Sequence, residues 1–337
     1  MKSFLFTCFF FLLLLHSRAQ QVILVDSSQK ISIRGLSVVN KKVGWISGSK
    51  GMVGKTMDGG KTWEYFPVEG FGNRDFRDIE AFDNDNAVIM AVDEPAVILR
   101  TADGGRSWKT VYENGNKGMF LDAMAFWNEQ SGIVIGDPIN GKFFMARTFD
   151  GGKSWQALPE ENLPAADSGE ACFAASGTNI KPLDLDEACF ITGGKRSRLF
   201  LKGKSVDLPL LQGKETTGAN SIAVLDWKKR NGGKTFYIVG GDFAADSSSE
   251  KNSIYTHDGG TTWITPEKPP SGYKSCVEYL DANRLVSCGT SGVDVSSDGG
   301  KTWKNISRAP YHVVRKSKKG KLVLLAGPGG RIAKLEW

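Results

Sequence analysis

Histidine is almost missing from this chain, with three in 337 residues. His16 lies in an N-terminal apolar stretch, His257 inside a repeated turn, and only His312 stands elsewhere. Ser–His or Cys–His nucleophilic catalysis, or a histidine-rich metal site, would have to run through that one residue. Cysteine is sparse too. Of five, Cys8 sits in the N-terminal stretch, and the rest form two close pairs, Cys172 with Cys189 and Cys276 with Cys288. Neither pair has zinc-ligand spacing, so no metal is expected. Cys276 and Cys288 flank the turn at Asp281-Ala282-Asn283 symmetrically, which sets them opposite each other in a hairpin. Each pair is open to a disulfide or to two buried thiols.

Long apolar runs are absent after the first residues. The run at 4–15 is too short to span a bilayer, and no later stretch is longer. With Lys2 before it and Ser17-Arg18-Ala19 after it, the run has the layout of an export signal. The expected organisation is a signal at 1–19 and one mature domain at 20–337, periplasmic or extracellular, with no membrane span. Charge of one sign is lacking as well. Residues 1–19 carry Lys2 and Arg18 and no acid, so the remainder sets 41 basic against 37 acidic residues, a net charge of +4. That is too mild to argue for nucleic acid or a membrane surface.

What is present is a repeat. The pattern Ser/Thr-x-Asp-Gly-Gly-x-Ser/Thr-Trp occurs five times, starting at residues 56, 101, 148, 256 and 296. Its aspartates are Asp58, Asp103, Asp150, Asp258 and Asp298. Asp-Gly-Gly is turn chemistry: the glycines take positive φ without steric cost, and the Asp side chain bonds nearby backbone N–H groups. These aspartates are therefore read as turn-formers. The starts lie 45, 47, 108 and 40 residues apart, and the gap of 108 is two periods with one motif lost. Four short alternating strands fit each period, which is the β-propeller blade. Six blades are expected at about 31–68, 76–113, 119–159, 171–211, 219–266 and 275–306. The stretch 311–337 holds only three strands, and residues 21–26 supply the fourth. The expected fold is all-β, a seven-bladed β-propeller closed by the N-terminal strand, with very little helix.

In such a blade the repeated turn joins strands three and four on one rim. The opposite rim then receives the longer loops and the start of every inner strand, and loops of that kind carry function over a rigid scaffold. Arg34 and Arg77 occupy matching places at the start of blades one and two. With Asp137, Arg196, Asp242 and Glu278 they make the candidate binding set on that rim, where guanidinium groups suit a carboxylate.

The octapeptide is identified as the Asp-box, or BNR repeat, and the chain resembles exported bacterial relatives of the photosystem II assembly factor family. The resemblance rests on Ile33-Arg34-Gly35-Leu36-Ser37 followed by Ser47-Gly48-Ser49-Lys50-Gly51 and the first box. It extends to residues 136–144, to Gly240-Gly241-Asp242-Phe243, and to residues 275–280. It implies a seven-bladed, WD40-like scaffold and chaperone-like binding of a protein partner through an arginine-lined face. The expected function is accordingly a non-catalytic binding or assembly scaffold, a monomer meeting an envelope protein or an acidic small ligand. The alternative is a glycoside hydrolase, sialidase-like or using another carboxylate pair, sited in the same rim. No Gly-x-Gly-x-x-Gly turn opens a helix, and no cofactor is expected.

Overall fold

The computed structural model describes residues 20–337 apart from 185, 227, 228, 230 and 231; the export signal expected at 1–19 lies outside the described residues. Seven antiparallel sheets form a closed ring of blades. Blade one shows the plan. Its inner strand Ile33–Val38 is followed outward by Gly44–Gly48, Met52–Thr56 and Glu64–Pro67. The two middle strands are buried along nearly their whole length, because blades cover both faces, and the outermost strand is half-exposed. Blades two and three repeat this from Phe76–Ala81 and Leu121–Phe126, and blade six from Cys276–Tyr279. Among the described residues, helix is confined to single 3-10 turns at Glu160–Asn162 and Pro328–Gly330.

Blade seven closes the ring. Its strands Val313–Lys316, Val323–Ala326 and Ile332–Glu336 come from the C-terminus, and the fourth, Gln21–Asp26, comes from the other end of the chain. Gln21 pairs with Glu336 and Asp26 with Ile332, so one ladder joins both termini and covers what would be a bare edge.

Every box makes the same turn. In the first, Lys61 and Thr62 N–H donate to Asp58 Oδ1, the Thr62 hydroxyl donates to Oδ2 at 2.7 Å, and Gly60 N–H donates to Thr56 Oγ1 at 2.9 Å. The bonds from Thr62 hold the Asp58 carboxyl low, at about 2. The second glycine of each box has φ between 76° and 94°, a region closed to most side chains. At Gly300 a Cβ would also stand 2.2 Å from the Tyr237 ring. The box tryptophan then bonds or stacks across blades: Trp303 Nε1 donates to Tyr237 Oη at 2.7 Å, and Trp108 meets Trp45 edge-on.

The chain departs from the expected blade boundaries at blade four. Its inner strand is only Ile180–Pro182, followed by Ala188–Ile191, Arg198–Leu201 and Lys204–Asp207. Residues 172–179, expected as the start of that blade, instead form a buried segment crossing the central channel. Glu170–Ala171 and Gly193–Gly194 form a short ladder that joins blade five at Gly218, giving a sheet of five strands there. Blade five, with strands Thr217–Val224, Phe236–Asp242 and Ser253–Thr256, has as its outer partner only a bridge from Tyr255 to Ile264.

The cysteines resolve as four buried free thiols. Cys276 and Cys288 do face each other as direct cross-strand partners. Cys172 and Cys189 do not pair: Cys172 packs with blades three and four, while Cys189 packs with Leu183 and Leu199 between blades four and five. The expected Cys172–Cys189 pairing is therefore corrected: the two residues pack in different clusters.

Candidate functional site

At the channel mouth opposite the boxes, one irregularity recurs. The inner strands of blades one, two, three and five each carry one extra residue against their neighbour, at Arg34, Arg77, Asp122 and Asn220. Asp137 is a similar extra residue in the second strand of blade three. A bulge leaves its residue unpaired and re-aims the side chain. All five bulged positions carry polar groups, and two of them, Asp122 and Asn220, are fully buried.

Residues 172–179 form the floor beneath them. Arg34 Nη1 donates to Ala175 O at 3.2 Å, and Cys172 N–H donates to Asp137 Oδ1 at 2.9 Å. Ser176 Oγ donates to Ser275 O, Thr178 Oγ1 donates to Ser221 Oγ, and Arg315 Nη2 donates to Ser176 O at 2.8 Å. Blades one, three, five, six and seven thus all hold the segment. Gly177 has φ +64°, and a Cβ there would stand 2.4 Å from the Asp78 carboxyl of blade two.

Arg34 and Arg77 stand side by side on this floor. Burial and the neighbouring Arg77 charge lower the Arg34 pKa. Arg77 donates through Nε to Asp75 Oδ2 at 2.8 Å and lies over the Phe120 ring, leaving its side chain 29% exposed. His312 Nε2 shares a hydrogen bond with Ser32 Oγ, and burial together with both arginines pulls its pKa down to about 3. It is neutral at ordinary pH. Asp122 is fully buried with neither carboxyl oxygen bonded to a described residue, and its pKa rises well above normal through burial and the nearby Asp137. Burial lifts Asp137 itself to about 6.

The other candidates separate. Arg196 is exposed at blade four and chelates Asp207, with Asp167 as a further partner. Asp242 caps its own turn, accepting from Ala244 N–H, and its only ionic neighbour is Lys214 at 3.9 Å. Glu278, expected at this mouth, is not there. It lies past the midpoint of Cys276–Tyr279 and lines a cavity of about 690 Å³ on the box side of the crossing segment. Gly177, Lys181 and Arg315 share that cavity, and none of the five box aspartates does. The crossing segment and the Arg315 that holds it are the functional pieces sequence reasoning missed. Their one trace is a run of small residues, Ala174-Ala175-Ser176-Gly177, where a blade strand was expected.

The family described as Photosynthesis system II assembly factor YCF48 matches residues 16–118. Among solved structures, one titled "YCF48 bound to D1 peptide" aligns over 95% of this chain and 96% of its own, at 17% identity and a TM-score of 0.65. YCF48 from Cyanidioschyzon merolae aligns over 95% and 99%, at 17% identity and 0.67. The family match is confined to the first third of the chain, and the structural likeness shows a seven-bladed propeller fold. The same ring is shared more widely: the Neurospora crassa Pan2 WD40 domain aligns over 90% of this chain and 89% of its own, at 13% identity and 0.59. No curated protein gives a significant match. Among the described residues, no helix is long and apolar enough to cross a membrane.

Proposed function

We propose that this propeller is a non-catalytic binding or assembly scaffold for a protein partner in the cell envelope, acting as a monomer after export of residues 20–337. The contact surface in this reading is the mouth opposite the boxes, and the partner offers an acidic segment or a free carboxylate. The observation that carries it is the pair Arg34 and Arg77, set at matching bulges beside the crossing segment. Guanidinium groups so placed suit a carboxylate of an extended segment. A similar propeller bound to a peptide adds support. The hydrolase alternative is weakened because Asp137 and Glu278 are not brought together.

The test is the double variant Arg34→Ala/Arg77→Ala. Recovery of envelope proteins on the immobilised chain should fall at least about tenfold, as expected for lost charge-assisted bonds, while the melting temperature changes little. Undiminished recovery refutes the site. Turnover of acidic glycosides by the parent, abolished by Asp137→Asn or Glu278→Gln, would replace the scaffold with a hydrolase.

A further inference from the structure

The cavity on the box side of the channel shares no residue with the arginine pair of the other mouth. Its volume of about 690 Å³ is that of a small-molecule site. Its walls come from the inner strands of several blades, so the opening is framed by rigid elements. Leu36, Ile79 and Met124 give it an apolar side.

The opposite side carries two charges of opposite sign. Lys181 enters from the inner strand of blade four and Glu278 from that of blade six, and both line the cavity. Of the other charged groups lining the opening, Glu129 and Lys319 are exposed to solvent, Asp281 is bound by Arg284, and the rest are engaged. Glu80 is bound by Lys318, Lys316 Nζ donates to Leu280 O, and the Arg315 guanidinium donates to carbonyls of the crossing segment. The Asp78 carboxyl accepts from Ile79 and Met124 N–H, both at 2.8 Å. Among the described residues neither the Lys181 ammonium nor the Glu278 carboxylate has a hydrogen-bond or ion-pair partner.

Half-buried charges without partners are costly unless something completes them. Lys181 and Glu278 do not lie within ion-pair distance of each other, so each retains its capacity for a third party. A simple anion satisfies Lys181 and is repelled by Glu278; a simple cation meets the reverse. A molecule carrying both signs satisfies both.

We infer that the box-side cavity binds a zwitterionic small molecule of the amino-acid or short-peptide class. Its carboxylate lies on Lys181, its ammonium on Glu278, and its apolar side group against Leu36 and Met124.

Calorimetric titration of the purified chain with three forms of one dipeptide tests this: free Ala-Leu, N-acetyl-Ala-Leu and Ala-Leu amide. Free Ala-Leu should bind at least about tenfold more tightly than either blocked form, each block deleting one charge-assisted contact. Lys181→Met should erase the preference for the free acid over the amide. Glu278→Gln should erase the preference for the free amine over the acetylated form. Both variants keep Arg34 and Arg77, so the outcome is distinct from loss of a protein partner. Equal binding of the three forms by the parent overturns the proposal, as does no binding of any. Selectivity that survives both substitutions moves the site elsewhere.

Discussion

At the residue scale, each box aspartate spends its carboxylate on its own turn. In the second box, Ser107 donates both its N–H and its hydroxyl to Asp103, and Thr101 Oγ1 donates to Oδ1. Asp103→Ala removes a local cap and touches no cavity. A loss of about 1 kcal/mol, or roughly 2 °C in a chain of this size, is expected with partner binding intact; thermal unfolding and pull-down check the two halves. Asp78 behaves in the opposite sense. Burial raises its pKa to about 7, against the nearby Arg315 charge, so the folded state keeps a proton that the unfolded chain releases. Its contribution is full below about pH 4 and is lost as pH rises through about 7. Asp122 and Asp137, also raised, act in the same sense, and His312, held neutral in the fold, pulls the other way below its unfolded pKa, so the parent curve alone mixes all of these. The difference between parent and Asp78→Asn isolates the carboxyl. Urea unfolding at pH 5 to 8 should show the parent losing ground to the variant as pH rises, and a constant difference contradicts the raised pKa.

At the element scale, the crossing segment is the feature that separates this channel from an open bore. It has few side chains to pack and is held through its carbonyls and small hydroxyls by five blades, with Gly177 set against Asp78 of a sixth. Gly177→Ala adds a Cβ where the backbone is left-handed and the Asp78 carboxyl is in the way. A cost of about 1–3 kcal/mol is expected. Faster amide exchange confined first to residues 172–179 would accompany it. Unchanged stability and protection would show that the segment does not seat there. Little of this was legible in the sequence. A run of small residues reads equally as a loop or as a strand, and its path is decided by donors and acceptors on blades up to 141 positions away, as in Arg34 to Ala175. The bulges were hidden for a related reason. An arginine after Ile33 marks a strand entrance, but whether the ladder admits an extra residue depends on the neighbouring strand. Glu278 falls at the other mouth although the strand start expected at 275 lies one residue from Cys276: the strand is only four residues long, so its third residue already reaches the box-side cavity.

At the scale of the whole molecule, one ladder between the two ends of the chain closes the ring. A chain beginning at Lys30 lacks the strand that pairs with Ile332–Glu336 and bares that edge to solvent. Melting lower by roughly 5 °C or more, with aggregation on heating, is the expected outcome by calorimetry and light scattering. A truncated chain as stable as the parent would mean that the ladder between the termini contributes nothing to the ring.

The sequence by itself determined the number of blades, the five box turns and the shared seventh blade. Those follow from local chemistry: the φ that glycine permits, the short reach of an Asp or Thr side chain, and the two-residue period of a strand. Only the tertiary structure decided what fills the channel and which polar groups share a mouth. The arginine pair beside the crossing segment, and Lys181 sharing a cavity with Glu278, both bring together residues far apart in sequence. Their contacts depend on how seven sheets set their strands around one axis, and no local pattern records that.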